Sequence, residues 1–272
     1  MCYSTASAAK QKRLEEHYGA QVKLPLNVTD DDMYRHHVNG FGKQYFNDGK
    51  MVSPHPLMYV IPQENPKFIT PLMWGFIPEW ESGERAEDYY KETIKYGSGL
   101  NATTEKLFTS QMFRKSALTK RCVVPVTGFH EPHTAKKNGR DFKVPFYFKA
   151  RDKEFTNLAG IYCFTNDGHA TFAILTRPAT PLFSKIHNKK RRRPVILDDD
   201  QIAGWLDTSA GRGDLEKIIA NDLPDVAIKA YPISKDLYSQ KIDSNREDII
   251  NQVDYQEIAI DYEGKPQPDL FG

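Results

Sequence analysis

Cysteine is scarce in this 272-residue chain: Cys2, Cys122 and Cys163 are all it has, an odd number with no paired spacing. That argues against a disulfide-framed secreted scaffold and for a reducing compartment. Long apolar runs are missing too, so no segment offers the roughly 20 apolar residues of a spanning helix. The first twenty residues carry Lys10, Lys12, Arg13, Glu15 and Glu16 without an apolar stretch, which argues against a secretory signal and gives a cytoplasmic expectation. Excess charge of either sign is absent: 37 Lys+Arg against 36 Asp+Glu leave +1. No global field draws such a chain to nucleic acid, so any DNA contact has to come from local clusters. Internal repeats are absent as well. The length suits one large domain, whose core can bury most of its apolar surface.

Aromatics are plentiful, with 15 Phe, 14 Tyr and 3 Trp. Short stretches rich in β-branched and aromatic residues, bounded by Pro, Gly, Asn or Asp, predict strands at Leu57–Ile61, Phe68–Phe76, Cys122–Phe129, Pro145–Lys149, Leu158–Phe164, Thr171–Thr176 and Pro194–Leu197. Asn166-Asp167-Gly168 predicts a hairpin turn between two of them. Helical patterns cover Ser7–Tyr18, closed by Gly19, then Glu84–Tyr96, Glu105–Leu118, Asp199–Leu206 and Leu215–Ala220, with Asp198, Asp199 or Asp200 available to cap the fourth. Val28–Lys50 reads as loop with short structure. The expected class is α+β: one domain over 1–260, a mostly antiparallel, barrel-like β-sheet core flanked by helices. Gly264, Pro266 and Pro268 argue against regular structure in 261–272, which reads as a flexible tail.

The chemistry starts at Cys2. If Met1 is removed, the α-amine and the thiol share one carbon framework, a 1,2-aminothiol. With an α-amine near pKa of roughly 7.7–8.0 and a thiol near about 8.5, both reactive forms exist close to neutral pH. Such a pair condenses with an aldehyde to an imine, and the thiol closes a five-membered thiazolidine with little entropic cost. Most residues at a second position are frayed and inert, so the rest of the chain must decide.

Four further segments bear on it: Trp74-Gly75-Phe76-Ile77-Pro78; Leu100-Asn101-Ala102-Thr103-Thr104-Glu105; Arg121-Cys122-Val123-Val124-Pro125-Val126-Thr127-Gly128-Phe129-His130-Glu131-Pro132; and Ile186-His187 with the basic run to Arg193 and Pro194-Val195-Ile196-Leu197. Their order and spacing, with Met1-Cys2, resemble the SOS response-associated peptidase family, the abasic-site processing proteins that crosslink to damaged DNA. The resemblance runs from Cys2 to about Ser234. It implies a DNA-damage protein whose N-terminal cysteine captures the ring-opened aldehyde of an abasic site in single-stranded DNA as a covalent thiazolidine, with possible autoproteolytic peptidase and lyase activity. It matches Cys2 to the family nucleophile and Asn101 to an asparagine that orients the amine or the opened sugar. Glu131 matches a glutamate that moves protons, and His187 a histidine that protonates a departing sugar hydroxyl. Each has a plainer reading: Asn101 as a helix N-cap, Glu131 as a solvated strand-end carboxylate, His187 as a surface histidine.

The departures matter as well. Cys2-Tyr3-Ser4 stands where many members have Cys-Gly-Arg, and Thr103 stands where many have arginine, so two expected phosphate contacts are missing. Lys189, Lys190, Arg191, Arg192 and Arg193 are candidates to replace them, or form a solvated charged loop. Trp74 and Phe76 are candidates for stacking against bases beside the lesion, or for core packing. His130-Glu131-Pro132-His133 has the wrong spacing for a zincin helix, and Pro132 interrupts one, so no metal and no cofactor is expected. Gln267, Leu270 and Phe271 in the last six residues resemble the peptides that dock on the bacterial sliding clamp. The partners expected are single-stranded DNA with abasic sites and that clamp, for a monomer acting off the membrane and on the nucleoid. The competing readings are a cysteine hydrolase using Cys2 and a non-catalytic single-stranded-DNA-binding module.

Overall fold

The computed structural model describes residues 2–42, 44–45, 52–53, 55–258, 260 and 262. Along the chain the strands are β1 (Ser4–Ser7), β2 (Gln21–Val22), β3 (Arg35–Asn39), β4 (Gln44–Tyr45), β5 (Val52–Ser53), β6 (Leu57–Pro62), β7 (Phe68–Trp74) and β8 (Asn101–Thr103). There follow β9 (Arg121–Val126), β10 (Gly128–Lys137), β11 (Arg140–Ala150), β12 (Thr156–Phe164), β13 (Ala170–Pro178), β14 (Arg192–Pro194), β15 (Ile196–Leu197) and β16 (Ile228–Pro232). The helices are α1 (Gln11–Tyr18), α2 (Asp30–Met33), α3 (Ala86–Thr93), α4 (Arg114–Thr119), α5 (Pro181–Ile186), α6 (Gln201–Leu206) and α7 (Arg212–Ala220).

Five strands close on themselves. The order β13-β12-β9-β6-β7 is antiparallel throughout, and a parallel pairing of β13 with β7, Thr171 opposite Met73, completes the ring. The second sheet, β16-β11-β10-β1-β3, is antiparallel throughout. The α+β class and the barrel-like, mostly antiparallel core expected from the sequence are therefore present. Residue alternation explains how the two sheets pack. Cys122, Val124, Leu158, Tyr162, Phe172 and Ile174 enter a cluster shared with Phe129, Val144, Phe146 and Phe148 of the second sheet. Val123, Ala159, Ile161, Ala173 and Leu175 face the other way, under Leu14 of α1, Ala117 of α4, Trp205 of α6 and Leu215 of α7.

The expected strand Cys122–Phe129 is two strands. The chain leaves the barrel after Val126 and enters the second sheet at Gly128. Thr127 marks the crossing, its N–H donating to Ala6 O and its carbonyl accepting from Tyr147 Oη. Gly128 is required there, because a Cβ would sit 2.3 Å from the Tyr147 ring. Other expectations are corrected too. The N-terminal helix starts at Gln11, and Ser7 belongs to β1. Glu105–Leu118 splits into a 3-10 turn at Thr104–Lys106 and α4. Asp198 and Asp199 pair with Lys153 instead of capping α6, and Asp200 makes no side-chain cap. The polar stretch read as loop contains α2 and β3. The hairpin at Asn166-Asp167-Gly168 is present between β12 and β13. No helix among the described residues is long and apolar enough to cross a membrane.

Candidate functional site

Cys2 leads into β1 two residues before the strand begins. That strand is an interior one, pairing with β10 on one side and β3 on the other, and Gly40 N–H extends the ladder to Tyr3 O at 2.7 Å. Cys2 is fully buried in the cluster between the sheets, its Sγ 3.9 Å from Ser4 O. Asn101 reaches it from β8: its Nδ2 donates to Cys2 O at 2.8 Å. β8 is locked along β13, Asn101 opposite Ile174. Asn101 is thus a strand residue, and the N-cap alternative is corrected: the turn that follows begins at Thr104.

Glu131 and His187 meet at the same place. Glu131 lies on β10, paired with Phe146 of β11, and is fully buried, not solvated. His187 is the residue that ends α5, its N–H donating to Phe183 O at 2.7 Å. Pro181 opens that helix in the first turn, where its missing N–H costs nothing, and Leu182 N–H is capped by Asp225. His187 is 2% exposed, so it is no surface histidine. Its Nδ1 lies 3.0 Å from Arg192 O and 3.3 Å from Glu131 Oε2. The carbonyl takes the Nδ1 proton, which leaves the carboxylate oxygen beside the ring but without a hydrogen bond.

Neither Glu131 oxygen has a hydrogen-bond partner among the described residues, and Asn101 Oδ1 has none either. A buried polar atom left unpaired costs about 1–3 kcal/mol, more for a charged one, so three such acceptors around one cysteine demand a reason. Burial pushes the Cys2 thiol far up, and the Glu131 charge pushes it further. The resting thiol is therefore protonated, within reach of the Glu131 charge.

His130 serves another purpose. Adjacent strand residues face opposite ways, so His130 turns from Glu131 toward Ser4 Oγ, 3.0 Å from its Nδ1, and toward the His37 ring at 5.6 Å. His133 shares Glu131's side and sits 2.9 Å from Ile186 O. Among the described residues no group of three or more His, Cys, Asp or Glu comes together as a metal set.

The expected DNA contacts fare differently. Trp74 and Phe76 are fully buried, Trp74 Nε1 donating to Leu100 O and Phe76 packing edge-on to Phe113; the stacking expectation is corrected to core packing. Arg193 is also core, 1% exposed and paired with Asp222 at 3.0 Å. Arg192 makes a two-pronged pair with Glu105 and donates to Thr176 O, and Lys189 pairs with Asp141 at 3.1 Å. Lys190 and Arg191 are exposed, with no ion pair among the described residues. Gln267, Leu270 and Phe271 lie outside the described residues. Sequence reasoning passed over an exposed aromatic beside Tyr3: half-exposed Phe41 stands 6.1 Å from the Tyr3 ring. The only signal was Tyr3 itself, noted as a departure.

Comparison with known proteins bears on the family and the fold. A profile of the SOS response associated peptidase (SRAP) family matches residues 1–240. The chain is 29% identical over 177 residues to the abasic site processing protein YoqW of Bacillus subtilis, spanning 64% of this chain and 72% of that one. It is 25% identical to the abasic site processing protein YMR114C of Saccharomyces cerevisiae, over 63% of this chain and 44% of that one. A crystal structure of a protein from Bacteroides thetaiotaomicron superposes with a TM-score of 0.76 at 25% identity, covering 93% of this chain and 100% of the other. With a family match over most of its length and this fold beneath it, the chain belongs to the SOS response associated peptidase family.

Proposed function

We propose that this protein, once Met1 is removed, captures abasic sites in single-stranded DNA as a covalent thiazolidine on Cys2. The observation that carries the reading is the buried Glu131 carboxylate, without a hydrogen bond among the described residues and close enough for its charge to act on the Cys2 thiol. Removal of Met1 converts the Cys2 amide nitrogen to an α-amine. Its ammonium form brings three donors to a place where Asn101 Oδ1 and both Glu131 oxygens are open acceptors. The names of the Bacillus and yeast relatives as abasic site processing proteins support the same substrate.

The bonds balance without a redox partner. The amine nitrogen attacks C1′ of the ring-opened sugar aldehyde, forming a C–N bond and a carbinolamine. Loss of water gives the imine. Cys2 Sγ then adds to the imine carbon, forming the C–S bond, while Glu131 takes the thiol proton and returns it to nitrogen. The sum is aldehyde plus aminothiol giving thiazolidine plus water. Asn101 holds the Cys2 carbonyl and so sets the direction of the amine. His187, its ring fixed by Arg192 O, assists ring opening and dehydration as a proton donor. Burial opposes a free thiolate, which weighs against a cysteine hydrolase that would need one at rest. Docking of Gln267, Leu270 and Phe271 on a sliding clamp is tested separately, by deleting the last six residues and measuring clamp binding.

The test is a denaturing gel of Met1-processed protein with single-stranded DNA bearing one abasic site. A heat-stable shifted band that disappears in Cys2→Ala is expected. Absence of the band, with intact mass placing Cys2 at the terminus, overturns the proposal.

A further inference from the structure

The family match ends at residue 240, yet the chain continues and folds back over the second sheet. Asn245 Oδ1 accepts from His36 N–H at 2.8 Å, Ser244 Oγ lies 2.6 Å from His37 Nδ1, and Ile249 is fully buried with Ala6, Tyr147 and Leu237. Between this returning segment, strand β3 and Tyr3 just ahead of β1 lies a cleft of about 520 Å³. Its walls include Tyr3, Arg35 and His37 from the sheet, and Tyr238, Gln240 and Asn245 from the returning segment.

Three features of the cleft point to one occupant. First, Tyr3, which lines it, follows Cys2 in the chain, and the Glu131 charge reaches the hydroxyls of both Tyr3 and Tyr238, which are pushed up chiefly by burial. Second, no Asp or Glu is among the described residues that line it. Third, Arg35 has no ion pair among the described residues; its Nε donates to Asp32 O at 3.0 Å, which leaves both terminal nitrogens open. A cation and two aromatic faces without a competing acid suit a nucleotide: a phosphate for the guanidinium, a sugar and base for the rings.

We infer that this cleft is a subsite for the nucleotide adjoining the abasic sugar on the same strand, with Arg35 as its phosphate contact and residues 237–245 as the wall that holds it. This inference rests on the abasic-DNA reading above, and it adds that a segment outside the family match takes part in gripping the strand.

The test uses processed full-length protein and single-stranded oligonucleotides carrying one tetrahydrofuran abasic analogue, which has no aldehyde and cannot crosslink. Three probes are compared by fluorescence anisotropy over a salt series: flanked on both sides, on the 5′ side only, and on the 3′ side only. Wild type should lose about tenfold in affinity when one particular flank is removed. Arg35→Ala should lose a similar factor on the doubly flanked probe, lose little more when that flank is removed, and show a salt slope shallower by about 0.7, the share of one phosphate. Gln240→Glu, at an exposed position, places a like charge beside the phosphate and should weaken the same probe; it decides the matter if Arg35→Ala fails to fold. Unchanged affinity and slope in the folded variants, with wild type binding normally, overturns the subsite alone. Failure of wild type to bind any probe overturns the abasic-DNA reading and the subsite together.

Discussion

Glu131→Gln should raise stability and destroy function at once. The carboxylate is fully buried, and neither oxygen has a hydrogen bond among the described residues. The amide keeps the shape and removes the charge. An unsatisfied buried polar group costs about 1–3 kcal/mol and a charge more, so neutralising it should return on the order of 1–2 kcal/mol, the amide still wanting partners of its own. In a chain of this size 1 kcal/mol moves Tm by roughly 2–4 °C, which gives an expected rise of about 2–8 °C by calorimetry or circular dichroism. The Cys2 thiol should titrate lower, because the Glu131 charge is the second cause of its elevation after burial; the midpoint of a pH series of alkylation rates reads this. Crosslinking to abasic DNA should fall by about 10²–10⁴-fold, the usual worth of a positioned proton-transfer group. A lower Tm with crosslinking retained would refute the reasoning, for it would make Glu131 a paired structural residue.

Acid should loosen the fold through its buried histidines. Burial holds His37 and His55 down at about 4, and His130 well below the ordinary value, against about 6.5 when unfolded. The unfolded chain therefore binds more protons between pH 6.5 and 4, and stability falls as pH drops through that window, by at most about 1.4 kcal/mol per pH unit for each histidine. Tm measured at pH 7, 5.5 and 4.5 should fall, less steeply in His37→Asn, and a flat profile contradicts this. Asp222→Ala strands Arg193, buried and 3.0 Å from that carboxylate, and should cost about 3–5 kcal/mol in urea unfolding; a loss under 1 kcal/mol would show that Asp225 suffices. Gly128→Ala drives a methyl into the Tyr147 ring and should cost about 1–3 kcal/mol, read as a lower denaturation midpoint at unchanged m-value.

The barrel strands were legible in sequence because they are apolar stretches of β-branched residues cut by turn residues. β1 was not: Ser-Thr-Ala-Ser has no strand signature, and only pairing with β10 and β3 makes it one, tertiary context overriding propensity. The long β10–β11 hairpin was half legible. Its Asn138-Gly139 turn, with φ of 51° and 76°, is the signal that would have extended it. Cys2, Asn101, Glu131 and His187 were named from motif order, and the fold links Asn101 to Cys2 by a hydrogen bond and sets His187 beside Glu131. Spacing cannot tell an inward aromatic from an outward one, which is why Trp74 and Phe76 were candidates for stacking. Arg193 was a candidate phosphate contact because Asp222 lies 29 positions away in sequence and its partnership is written only in three dimensions.

The placement of β1 has a consequence for lifetime. A second residue ordinarily frays, opening at almost no free energy. Here Cys2 is followed by a strand hydrogen-bonded on both sides, so pulling the segment that carries it out of the fold means parting β1 from both β10 and β3. Amide protons of Tyr3 to Ser7 should accordingly exchange on the timescale of global unfolding. Any adduct carried on Cys2 would inherit that protection, and a protease would gain the tether only by way of the unfolded chain.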